Sequence, residues 1–161
     1  MIKKLAIVTL TLSGGSAFAH NRLPKGVPSH AAVQSAIAKV AEIDGHVANL
    51  VAISNGGNST NEGLKENDGF ARNILLSISK KTERVLDKLD QFDALIVSGQ
   101  YVQAIALKTE VCSSLDAIAY DNKNAGIAAD LPKIGHLTSS LPDFADIDQV
   151  IVDTKSTVLC P

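Results

Sequence analysis

Between Phe70 and Ile96 the apolar residues Phe70, Ile74, Leu75, Ile78, Val85, Leu86, Leu89, Phe92, Leu95 and Ile96 recur mostly three or four apart, with Lys80, Lys81, Glu83, Arg84, Asp87 and Lys88 between them. That spacing matches the turn of an α-helix and puts the apolar set on one stripe. A helix striped in this way must bury its apolar side against another element, so the run constrains the whole fold. Val33, Ile37, Val40, Ile43, Val47, Leu50 and Val51 trace an earlier helix with Ser29 in position to cap it. The stretch Asn55-Gly56-Gly57-Asn58 ends that helix, because glycine supplies the positive φ needed at a helix exit. The second helix stops near Gly99, and a third runs from about Tyr101 to Tyr120 with Ile105, Cys112, Leu115 and Ile118 facing inward.

From Asp121 to Pro142 the period is broken by Gly126, Pro132, Gly135 and Pro142, which reads as a loop with a short helix around Ala125 to Leu131. A final helix shows Phe144, Ile147, Val150, Ile151 and Val158 on one face. Asp143, Asp146 and Asp148 near its start suit the positive end of the helix dipole. No alternating strand pattern, hairpin signal or fixed-period repeat accompanies these elements. The expected fold is all-α, an antiparallel bundle of four or five helices.

The first residues read as an export signal. Lys3 and Lys4 precede an apolar run from Leu5 to Leu12, and small residues surround Ala17-Phe18-Ala19. Cleavage after Ala19 divides the chain into a signal peptide (1–19), a leader (20–30) and a single helical domain (31–161). The apolar run is far shorter than the ~20 residues that cross a bilayer, so no transmembrane anchor is expected. The expected location is extracellular, or periplasmic in a bacterial host. In an oxidising compartment the two cysteines, Cys112 and Cys160, are expected to pair. Closing that loop would stabilise the fold by ~4 kcal/mol. Asn58-Ser59-Thr60 fits the N-glycosylation acceptor pattern in a turn-rich stretch.

Composition excludes several function classes. A net charge of −2 lacks the basic footprint of a nucleic-acid binder, and with 4% aromatic residues and no Trp there are few rings on which bases or sugars could stack. Nucleophile elbows, zinc-protease helices, Cys-x-x-Cys pairs, phosphate loops and calcium loops are missing. None of His20, His30, His46 or His136 follows a Glu by three residues, so a di-iron carboxylate bundle is not indicated. A mature amino-terminal His20 could chelate copper with a second histidine, but the residue is read instead as a solvated first residue. Asp87, Asp90 and Asp93 read as a solvated helix face, and His46 as a residue on the flank of the first helix. No catalytic, cofactor or metal-binding residue is assigned, and the chain reads as non-enzymatic.

Three features resemble the fungal hydrophobic surface-binding protein A family, which includes cell-wall galactomannoproteins. Ala32-Val33-Gln34-Ser35-Ala36-Ile37 opens the first helix, Asn55-Gly56-Gly57 ends it, and Leu95-Ile96-Val97-Ser98-Gly99 precedes a helix closing with Leu115-Asp116-Ala117-Ile118. The resemblance spans roughly residues 31 to 155. It implies a secreted helical bundle, extracellular or in the cell wall, that adsorbs to hydrophobic surfaces or encloses a fatty acid. The chain departs from that family in carrying Cys112 and Cys160 and in being richer in Lys and Asp.

The expected function is therefore non-catalytic binding of a hydrophobic surface or of an apolar, fatty-acid-like ligand. Pockets between helices are mostly apolar, and the interior stripe of Leu75, Ile78, Leu89, Phe92, Ile105 and Leu115 is where such a ligand would lie. The alternative is a secreted or periplasmic protein–protein interaction module of inhibitor, immunity or chaperone type.

Overall fold

Burial follows the predicted stripes closely, with the main differences at Phe70 of the second helix, which is exposed, in the third helix and in the leader. The structure is a computed structural model and describes residues 23–55, 62–130 and 136–161. Four α-helices follow one another: α1 (His30–Asn55), α2 (Glu62–Val97), α3 (Tyr101–Asp130) and α4 (Leu141–Thr157), with a short 3-10 helix, His136–Ser140, leading into α4. Each helix packs on its neighbours in sequence, α4 closes back on α1, and α1/α3 and α2/α4 stand diagonally opposed. That is an antiparallel four-helix bundle, the all-α architecture expected.

Ion pairs between helices display the register. Lys81 meets Asp121 at 2.6 Å and Lys88 meets Glu110 at 3.2 Å, so numbers rise along α2 as they fall along α3. Lys39–Asp153 at 3.6 Å runs likewise between α1 and α4, and Lys155–Asp116 at 2.6 Å between α4 and α3. Apart from the part-buried Lys81–Asp121, these pairs are largely solvated and contribute at most ~1 kcal/mol each. The fold rests instead on the buried stripes, in which Val40, Ile43, Leu75, Leu89, Phe92, Leu115 and Ile147 have no accessible surface.

The helix boundaries have local causes. Ser29 Oγ accepts the Ala32 N–H at 3.2 Å, the cap expected at the start of α1. Pro142 in the first turn of α4 has no N–H to leave unpaired, and Asp143 beside it favours the positive helix pole.

The third helix does not stop near Tyr120 but continues unbroken to Asp130, through the segment expected to be a loop. The inward face continues as Ile118, Asn122, Ala125 and Ala129, all buried, so the period is kept by small and polar residues that carry little hydrophobic signal. Asn122 is fully buried, and its Nδ2 donates to the Phe144 carbonyl at 2.7 Å and to Asp148 Oδ1 at 2.9 Å. Gly126 costs the helix about 1 kcal/mol relative to alanine, which is too little to break a helix fixed by packing on both sides.

Nor does the domain begin at residue 31. Pro24 to Val27 forms a turn in which Val27 N–H donates to the Pro24 carbonyl at 3.1 Å and Gly26 takes φ +84°. Glycine is favoured at that position of a type II turn. Val27 and Pro28 are buried, so this part of the expected leader is packed against the bundle. The expected signal peptide, His20 and Asn58 lie outside the described residues.

Candidate functional site

Five of the six side chains expected to surround an apolar ligand converge in the interior. Leu75, Ile78, Leu89, Phe92 and Leu115 have no accessible surface, so they touch one another and the opposing helices and not a water-sized void. Ile105 departs from the expectation and is 43% exposed. The inward residue on that turn is Ala104, about 100° away around the helix, and a stretch with Val102, Ile105 and Leu107 on several sides hides which face is buried.

One pole of the bundle carries five of the exposed large apolar side chains and is a candidate site, while Phe70, Leu76, Tyr120, Ile127 and Val152 are exposed elsewhere on the bundle. The end of α2, the start of α3, the residues before α1 and the tail after α4 all meet there. Val97 is 68% exposed, Val102 82% and Leu159 47%, and Leu23 and Ile105 are also exposed at this end. Beside Val97, an open groove of about 450 Å³ is lined by Gln91, Ala94, Leu95, Ser98 and Gln100.

This pole is fastened three ways. The expected disulfide joins Cys112 on α3 to Cys160 in the tail. Lys108 Nζ donates to the Gly26 carbonyl at 2.8 Å and to the Leu159 carbonyl at 3.1 Å, tying both outer segments to α3. Near the turn, Asp93 is buried at the junction of α2 and α1, where its carboxylate is hydrogen-bonded to His30 Nδ1 at 2.7 Å and accepts from Gln34 Nε2 at 2.8 Å. Asp93 thus leaves the solvated face on which Asp87 and Asp90 remain exposed.

The two helix ends at the pole share one geometry. After α2, Gln100 N–H donates to the Leu95 carbonyl at 2.8 Å and Gly99 N–H to that of Ile96 at 3.1 Å, with Gly99 at φ +74°. After α4, Cys160 N–H donates to the Lys155 carbonyl at 2.8 Å and Leu159 N–H to that of Ser156 at 3.2 Å. Both are Schellman closures, which place the residue after the cap in the left-handed region. Leu159 occupies it at φ +60°, where its Cβ crowds the backbone.

Apart from Ile105, which the sequence places inward, the exposed residues of this pole escape the sequence because they lie off the stripes, in or beside turns. The only local sign was an apolar residue, Val97, directly before a helix stop. Away from the pole, His46 of α1 lies across from Asp143 and Asp146 of α4, the one grouping among the described residues with a donor set suited to a metal ion. No nucleophile paired with a base stands out among the described hydrogen bonds. Comparison with known protein families, characterised proteins and solved structures finds no match for this chain.

Proposed function

We propose that the chain is a secreted, non-catalytic helical protein that binds hydrophobic surfaces through the apolar side chains at its disulfide-fastened pole. The observation that carries this reading is Leu159, an apolar side chain held half in solvent by a backbone conformation that disfavours it. Strain kept at an exposed position points to a role for what is displayed there. Val97 and Val102 present further apolar surface at the same end, and fully covering a side chain of this kind contributes ~1.5–3 kcal/mol. Because the pole is already fastened, little order has to be gained on contact.

An acyl chain in the interior is the second form of the same reading. It would require the helices to part, since Leu75, Ile78, Leu89, Phe92 and Leu115 already fill the interior. Adsorption at the pole needs no such opening and is therefore the form proposed first.

Adsorption to an octadecyl-coated quartz crystal, followed by frequency shift, tests the proposal. The double variant Val97→Ser/Val102→Ser should bind at least tenfold more weakly than the unmodified protein. Phe70→Ser, which removes an equally exposed ring far from this pole, should change little. Equal loss in both, or no loss in either, refutes the assignment of the pole.

A further inference from the structure

His46, Asp143 and Asp146 are separated by almost a hundred residues in sequence and are brought together by the pairing of α1 with α4. The pairing that sets Lys39 against Asp153 advances by two turns in each helix to set His46 against Asp146. Asp143 and Asp146 stand three apart on α4 and so lie on one face of it, one turn from each other. One ligand atom from each of the three residues lies within 4.8 Å of the others.

We propose that these three residues form a binding site for a zinc-class divalent cation that joins α1 to the first turns of α4. An imidazole nitrogen with two carboxylate oxygens is a donor set for zinc, with solvent taking the fourth position beside the exposed Asp146. Calcium and magnesium favour oxygen ligands alone, so the histidine selects against them. Zinc bonds of ~2.0–2.2 Å need the three ligand atoms drawn roughly 1 Å closer together, within the reach of side-chain rotation at a partly exposed site.

Charge supports the same conclusion. Elsewhere the carboxylates that face a neighbouring helix carry a donor from it: Asp121 has Lys81, Asp116 has Lys155, Asp153 has Lys39, Asp44 has Ser79 and Asp148 has Asn122. Among the described residues no lysine or arginine pairs with Asp143 or Asp146. Two like charges one turn apart repel each other, and the helix dipole near the start of α4 offsets only part of that. A divalent cation would neutralise both.

The test is isothermal titration of zinc chloride into the purified, disulfide-intact protein, with the melting temperature measured in parallel. One zinc ion is expected to bind in the micromolar range and raise the melting temperature, while calcium at the same concentration does neither. His46→Gln and Asp146→Asn should each weaken zinc binding at least tenfold, and His30→Gln, a histidine on the same helix outside the cluster, should leave it unchanged. Asp146 is exposed, so its variant keeps the fold and remains informative if His46→Gln does not. Absence of zinc uptake at tens of micromolar overturns the site. Wild-type affinity in either cluster variant does so too, because the ion would then sit elsewhere.

Discussion

The C-terminal ends of α2 and α4 close with the same pair of backbone hydrogen bonds around different residues, Gly99 in one and Leu159 in the other. At Gly99 the left-handed conformation is cheap, because no Cβ is present, and it is held by the local chain alone. At Leu159 the same conformation costs roughly 1–2 kcal/mol and is held from outside. Cys160 is covalently joined to α3, and Lys108 grips the Leu159 carbonyl. One end is specified by its residue and the other by its tethers. At the tethered end the left-handed residue is itself an exposed apolar side chain.

The largest way to break this contrast is to remove the tether. Replacing Cys112 and Cys160 by serine should lower the unfolding free energy in urea by ~4 kcal/mol, given a sequence separation of 48 residues. Amide exchange at Cys160 should quicken as the closure after α4 frays, while that at Gln100 stays slow. Making the two ends alike by Gly99→Leu comes next. A Cβ at Gly99 meets no other atom within 4 Å, so backbone strain dominates the cost and a loss of roughly 1–2 kcal/mol is expected from chemical denaturation. The reverse exchange, Leu159→Gly, should raise stability by up to ~1 kcal/mol, less than the inverse change because glycine also loosens the unfolded chain. It should weaken adsorption to the octadecyl surface at the same time, separating stability from binding. The smallest effect sharpens the argument about glycine itself. Gly45→Ala, inside α1 with open space around it, should stabilise by ~0.5–1 kcal/mol, opposite in sign to any substitution at Gly99.

Much of the bundle was legible because its determinants are local and periodic. The stripes of α1, α2 and α4, the Ser29 cap and the stop at Gly99 each follow from residues within a few positions of one another. The cysteine pairing followed from the even count in a chain whose first residues read as an export signal. The continuation of α3 was hidden because Asn122, Ala125 and Ala129 keep the inward period without apolar bulk. Packing of the segment before α1 turns on Val27 and on one carbonyl bonded to Lys108, which no pattern marks. Of the candidate site the sequence showed least. Nothing near Leu159 announces a left-handed leucine, and His46 reaches Asp143 and Asp146 only through the register of two helices far apart in the chain.

The bond between Cys112 and Cys160 also sets how the molecule would carry a mechanical load. Force entering at Pro161 passes from Cys160 directly into the middle of α3, and residues 113–159 lie within the closed loop, off the line of tension. The latter part of α3 and all of α4 could then lose their packing without lengthening the chain. Roughly 160 Å of contour length stays in reserve for as long as the bridge holds.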